Sequence, residues 1–159
     1  MVRLIDHPEE ARQDGVVTGP DLGRLLLESH RTLASELVAS LAERGYPDVR
    51  AGHLAVFQHV DRRHGTRLTE LAHRARMTKQ GMMLVVDDLE SRGYVRRLPD
   101  PDDARAKVVR LTAHGRRAAA EARRAVQALE ARTRRQLGDR RYDTLREVLE
   151  ALAFGEEEP

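Results

Sequence analysis

The fold of this chain is decided by one continuous stretch, residues 68–112, which reads LTELAHRARMTKQGMMLVVDDLESRGYVRRLPDPDDARAKVVRLT. Within it, Lys79–Arg92 has apolar side chains at i, i+3, i+4 and i+7, namely Met82, Val85, Val86 and Leu89. This spacing predicts an amphipathic helix that stops at Gly93. A shorter helix precedes it, with Thr69 as the expected N-cap and Leu71, Ala72 and Ala75 as the expected buried positions. Only residues 76–78 separate the two, which predicts a helix-turn-helix.

Two β-leaning runs, Tyr94–Leu98 and Lys107–Thr112, follow the second helix. The connecting residues 99–106 contain prolines and aspartates, which favour a turn and therefore a β-hairpin. The order helix, turn, helix, hairpin predicts a winged helix-turn-helix over approximately residues 50–112.

Helical patterns at 20–45 and 113–153 flank this unit, so the predicted fold class is mainly α with a small β-hairpin. We expect one domain over 20–154, preceded by a polar, flexible tail at 1–19. The flanking helices carry apolar stripes without a partner of their own, which favours a homodimer over a monomeric helical core. The expected dimerisation residues are Leu22, Leu25, Leu26, Leu145, Leu149 and Leu152.

The distribution of charge points to a polyanionic partner. The chain has a formal net charge of +2, and residues 61–110 hold 12 Lys and Arg against 8 Asp and Glu. Cysteine is absent, which excludes disulfides and thiolate metal sites. No stretch has the pattern of a signal peptide or a membrane span, so we expect a cytoplasmic protein without a membrane partner.

A recognition helix must present a narrow polar face to the major groove of DNA. We expect that face near the start of the second helix, at Thr78, Lys79, Gln80, Gly81 and Met83. Thr78 and Lys79 suit phosphate contacts, Gln80 can pair with adenine, and Met83 can touch a thymine methyl group. In the hairpin, Arg105 is expected to enter the adjacent minor groove, with Asp103 orienting it. Further phosphate contacts are expected from Arg96, Arg97, Lys107 and Arg110.

These motifs resemble the MarR family of winged-helix transcription regulators. The resemblance is carried by Leu71-Ala72, Met77–Gln80, Leu89–Val95, and the wing run Asp100–Lys107 with Leu111-Thr112 and Gly115. Asp103 and Arg105 fall on the recurrent aspartate and arginine of the family's wing. The resemblance implies a dimer on a pseudo-palindromic double-stranded operator, most commonly as a repressor. The chain departs from the family at Gly81, Met83 and Leu84, followed by Asp87 and Asp88, so base preference does not carry over.

The resemblance also implies a small aromatic or anionic effector, bound between the dimerisation helices and the DNA-binding lobe. By position, His30, Arg31, His53, Phe57 and His59 are expected to line that cleft. The histidines lack the i, i+4 spacing and the carboxylates of a metal site, so we expect neither metal nor cofactor.

The sequence also bears on two other function classes. An enzyme is disfavoured because no Gly-x-Ser-x-Gly elbow, phosphate-binding glycine loop or paired carboxylate is present. A winged-helix protein-interaction module stays open because Met83, Leu84, Asp87 and Asp88 are unusual on a DNA-facing helix.

Overall fold

The computed structural model describes residues 19–155, with the backbone alone for Ala104. Its elements are α1 (Leu22–Glu43), α2 (Ala51–His59), β1 (Thr66–Arg67), α3 (Leu68–Arg74), α4 (Lys79–Ser91), β2 (Val95–Asp100), β3 (Asp103–Leu111), α5 (Ala113–Leu137) and α6 (Asp139–Phe154). The three strands form an antiparallel sheet in the order β1-β3-β2. The predicted fold class is therefore confirmed. The predicted tail lies outside the described residues except for Gly19.

Helix ends follow from capping groups close in sequence. The side chains of Asp21, Thr78 and Thr112 accept backbone N–H groups at the starts of α1, α4 and α5. The predicted N-cap Thr69 is wrong by two residues, because the N-cap of α3 is Arg67. Thr69 lies inside α3, which begins at Leu68 because β1 pairing holds the preceding residues extended. Asp139 is the first residue of α6 and is preceded by Gly138 at φ +78°.

Tyr94 lies at the centre of the core, between the winged helix and α5. Its ring stacks on His114 at 4.5 Å, meets Phe57 edge-on at 5.9 Å, and its hydroxyl donates to Asp48 at 2.5 Å. An added Cβ at Gly115 would lie 1.9 Å from the Tyr94 carbonyl oxygen, so only glycine permits this approach of α5 to the hairpin.

The hairpin is longer and tighter than the sequence predicts. Residues 99, 100 and 103–106, expected in a loop, belong to β2 and β3, and only Pro101 and Asp102 form the turn. The register passes from Pro99↔Lys107 to Asp100↔Asp103, so residues 104–106 bulge from β3. The hydrogen bond from Asp102 N to the Asp100 carboxylate holds the tip closed, at 3.0 Å.

The terminal helices leave an apolar surface uncovered. α5 packs along α1 and α6 packs on the end of α5, which buries Tyr142 and leaves much of the remaining apolar stripe exposed. Within residues 19–155, no helix is long and apolar enough to cross a membrane.

Candidate nucleic-acid interface

The recognition helix predicted from the sequence is α4, and its two sides are clearly divided. Met82, Val86 and Leu89 are buried in the core, whereas Lys79, Gln80 and Met83 are exposed. Thr78 caps the helix, because its hydroxyl accepts the Gly81 N–H at 3.0 Å. Gly81 is half-buried, and an added Cβ would lie 3.1 Å from that hydroxyl. The predicted base-contacting residues are thus gathered on one exposed end of α4.

The three carboxylates of α4 are all engaged within the subunit. Asp87 contacts the Arg97 guanidinium at 2.5 Å, and Glu90 also pairs with Arg97. Asp88 accepts from His53 at 2.8 Å and from Arg92 at 2.9 Å. Burial raises the pKa of Asp88, but the hydrogen bonds from Arg92 and His53 outweigh it, so the pKa lies below its ordinary value. These residues therefore brace α4 rather than present free negative charge.

His53 joins α2 to α4 and is almost fully buried. Its Nδ1 accepts the Arg50 backbone N–H at 3.1 Å, which assigns the proton to Nε2, the atom that faces Asp88. Burial lowers the pKa of His53, and the hydrogen bond to Asp88 opposes only part of that effect. The neutral imidazole is therefore the form that fits both partners.

The base of the wing tip is held by an arginine from β1. Arg67 Nε donates to the buried Asp100 carboxylate at 2.6 Å, and its guanidinium lies 3.6 Å from Asp103. Asp103 also accepts the Arg105 backbone N–H at 3.0 Å. Asp103 thus fixes the backbone at Arg105, whose side chain is exposed on the bulge.

Alternation along the hairpin divides the remaining wing cations between two faces. Arg97 and Lys107 share the face of Val109, which packs on the helices, and Arg96 lies on the other face opposite Arg110. Arg97 is occupied by Asp87 and Glu90, while Arg110 donates to the carbonyls of His64, at 3.0 Å, and Arg63. Lys107 therefore lies on the hairpin face that contacts α4, and Arg105 is exposed on the bulge near the wing tip.

Two cavities lie along α1 and α2, and three of the five predicted effector residues line one or the other. The first, of about 220 Å³, lies between α1, α2 and α5 and includes Phe57, Arg62 and Arg123 in its lining. The second, of about 490 Å³, includes His30 and His59. They share Leu37, Leu54 and Gln58 as a common wall.

The other two predicted effector residues lie elsewhere. His53 is buried beneath α4, and Arg31 is exposed and pairs with Glu28 at 3.1 Å. Neither lines these cavities. The prediction used only the position of each residue along its helix. His53 and Arg31 point from other sides of their helices than the residues that line the cavities.

The first cavity has an excess of positive charge. Among the described residues, no carboxylate lies within 4.0 Å of the Arg62 or Arg123 side chains. Partial burial and the positive charges of Arg62 and Arg124 lower the pKa of Arg123. An anion with an apolar body would match both the charge and the lining. No group of three or more His, Asp or Glu suited to a metal ion occurs within residues 19–155.

The sequence analysis missed Arg67, Arg62 and Arg123. Arg67 and Asp100 are 33 residues apart, and Arg62 and Arg123 come together only because α2 packs on α5. The exposed arginines that follow α2, at 62 and 63, offered no local signal of a site. The abundance of arginine in the chain conceals such residues, since most of them are ordinary surface charges.

The predicted dimerisation residues are all exposed in the single subunit. Their exposed fractions range from 37% for Leu149 to 61% for Leu152. Val148 and Phe154 of α6 are exposed in the same way, at 50% and 78%. Of the twelve large apolar side chains that are exposed among the described residues, ten lie on α1 and α6.

Comparisons with known proteins bear on this arrangement. Residues 48–106 match the model of the MarR family. The chain is similar to CouR from Rhodococcus jostii RHA1 bound to p-coumaroyl-CoA, at 26% identity over 87% of this chain and 96% of that chain, with a TM-score of 0.69. No curated protein sequence matches the chain.

Two further solved structures are similar. The transcriptional repressor CouR bound to a 23-mer DNA duplex shares 26% identity over 84% of this chain and 92% of that chain, with a TM-score of 0.71. The MarR family protein Rv2887 of Mycobacterium tuberculosis, in complex with salicylic acid, shares 29% identity over 85% of this chain and 98% of that chain, with a TM-score of 0.63.

Proposed function

This chain has the winged helix-turn-helix of the MarR family of transcriptional regulators, and from that premise we propose that it is a ligand-responsive repressor binding double-stranded DNA as a homodimer. It acts in the cytoplasm as a regulator rather than an enzyme. The similar structures support this proposal, since one is a transcriptional repressor bound to a DNA duplex.

The observation that carries the proposal is the arrangement of charge around α4. Asp87 and Asp88 are paired within the subunit, while Lys79, Arg105 and Lys107 have no carboxylate within 4.0 Å among the described residues. The exposed end of α4 fits the major groove, and the wing supplies cations to the flanking backbone and minor groove. Thr78, Gln80, Gly81 and Met83 complete the contact surface that we propose. Arg96 and Arg97 are not part of this surface, because Arg96 lies on the opposite face of the hairpin and Arg97 is paired with Asp87 and Glu90.

A homodimer is favoured by the exposed leucines of α1 and α6. Leu22, Leu25, Leu26, Leu145, Leu149 and Leu152 would be covered by the same surfaces of a second copy, in a two-fold interface. Such a dimer presents two copies of α4, which suits a pseudo-palindromic operator.

Sequence-specific DNA binding is tested by selection from a random-sequence duplex library, followed by anisotropy titration of the enriched duplex and a scrambled one. We expect enrichment of a two-fold symmetric sequence, affinity that falls with salt, and weaker binding by Arg105→Ala. The matched control is Arg124→Ala, which removes an exposed α5 cation already paired with Glu121. A protein-interaction module predicts no enriched sequence and no salt-dependent binding, and that result would overturn the proposal.

The effector site that we propose is the cavity containing Arg62 and Arg123. Its uncompensated guanidinium groups favour a carboxylate, and its apolar wall of Leu54, Phe57 and Val126 favours an aromatic ring. The salicylic acid complex of Rv2887 makes salicylate the natural probe. His30 and His59 stay in the neighbouring cavity as candidates for a larger effector.

Calorimetric titration with salicylate tests this site, with Arg123→Met as the variant. We expect the wild type to bind and to release DNA, and Arg123→Met to bind at least tenfold more weakly. Arg124→Met is the control, because it changes the adjacent arginine without touching the cavity. Equal affinities for the two variants would contradict the assignment.

A further inference from the structure

The outward face of α4 has an apolar centre. Because Met82, Val86 and Leu89 point into the core, helical geometry places Gln80 and Leu84 one turn apart on the opposite side. Leu84 is 64% exposed and Met83 beside it is 42% exposed. In the sequence Leu84 counts against DNA binding, but in the structure it occupies the most outward position of the proposed recognition helix.

The acidic residues that follow Leu84 do not oppose this role. Asp87 is turned to the wing side of the helix, where it contacts Arg97 at 2.5 Å. Asp88 is turned to the α2 side, where it contacts His53 at 2.8 Å. A polyanion that approaches Leu84 between them meets carboxylates that are already paired with guanidinium groups, Asp87 with Arg97 and Asp88 with Arg92.

The chemistry of base edges limits what Leu84 can contact favourably. In the major groove every base edge presents hydrogen-bonding groups, and the thymine C5-methyl is the apolar feature among them. A leucine over a donor or acceptor would strip that group of water without replacing the hydrogen bond, which is unfavourable. Over a thymine methyl the same side chain buries apolar surface on both partners. A polyanion is favoured over a protein partner for this face, because Lys79 is exposed on the same helix and Arg105 and Lys107 are exposed on the adjacent wing.

We propose that Leu84, with Met83 beside it, reads thymine methyl groups in each half-site of the operator. The inference rests on the proposed function and deepens it by naming the bases. Sequence preference in this protein then comes partly from the apolar contacts of Met83 and Leu84 at the centre of the outward face of α4.

The test replaces thymine by deoxyuridine, one position per half-site at a time, in the duplex obtained by selection. This exchange removes only the methyl group and preserves base pairing. Loss of one buried methyl corresponds to about a fourfold loss of affinity, or about 16-fold when both half-sites are changed. We expect at least one thymine position to show a loss of this size in anisotropy titrations of the wild type.

Variants of Leu84 then assign the contact. At one thymine position, Leu84→Ala is expected to bind the thymine duplex and the deoxyuridine duplex with equal affinity. Leu84→Met is expected to retain the loss of affinity on deoxyuridine. Because Leu84 is exposed, both variants should unfold at the wild-type urea midpoint, which controls for folding. An enriched duplex indifferent to deoxyuridine, or a penalty that persists in Leu84→Ala at every position, would overturn this inference alone. Failure to enrich any sequence would overturn the proposed function and this inference with it.

Discussion

The division of the wing cations between two faces predicts different effects for two similar substitutions. Lys107→Ala and Arg96→Ala each remove one exposed cation per subunit from neighbouring strands of one hairpin. Lys107 shares its face with Arg97, which reaches α4, whereas Arg96 lies on the opposite face. We therefore expect Lys107 to contact a phosphate when α4 occupies the major groove and Arg96 to remain in solvent.

The magnitude follows from the release of counterions. Lys79, Arg105 and Lys107 amount to six cations in a dimer, and about 0.9 per phosphate contact gives a slope of log K against log salt of about −5.4. Lys107→Ala removes two of the six, so the slope falls to about −3.6. Doubling the salt concentration then weakens binding about 40-fold in the wild type and about 12-fold in Lys107→Ala. Arg96→Ala keeps the wild-type slope.

The assay is fluorescence anisotropy on the selected duplex at four or more salt concentrations, with urea denaturation to show that both variants are folded. Equal slopes for Lys107→Ala and Arg96→Ala would refute the argument, because the two hairpin faces would then be equivalent toward DNA. A wild-type slope near zero would refute the electrostatic role of all three cations.

Three further predictions concern the fold and its assembly. Gly115→Ala should lower the free energy of unfolding by about 3 kcal/mol or more, measured in urea, because its Cβ would overlap the Tyr94 carbonyl; the control Gly52→Ala, whose Cβ makes an ordinary 3.7 Å contact, should be neutral or stabilising. Because the pKa of His53 is lowered in the fold, the unfolded chain binds the proton at a higher pH than the folded chain does, so the free energy of unfolding should be at its full value above about pH 6.5 and should decrease below that pH. His53→Gln should lose the part of this pH dependence that His53 contributes, and an unchanged profile in that variant would contradict the prediction. Leu149→Asp should convert a dimer to monomers in sedimentation velocity, and a wild-type sedimentation coefficient in that variant would argue for another interface.

Much of the fold was predictable because it depends on local pattern. The stripe of Met82, Val86 and Leu89 and the glycine at 93 define α4 without reference to the rest of the chain, since an amphipathic helix and its end are set by residues within a few positions. The order of elements and the wing motif then predicted the MarR-type winged helix, and the family comparison and the observed fold confirm that prediction. The site residues remain predictions, now refined by where the structure places them.

Tertiary structure decided how the charged residues are used. The sequence shows Asp87 and Asp88 on the recognition helix, but only the packing of α4 between α2 and the hairpin pairs them with Arg97 and His53. In the same way, the register of β2 and β3 places Lys107 and Arg96 on opposite faces. Secondary structure arises from neighbours along the chain, whereas the partner of a charge is set by whichever distant segment packs against it. The sequence alone therefore determined the type and order of the elements, and the three-dimensional structure determined the extent of the hairpin and which charges remain available to DNA.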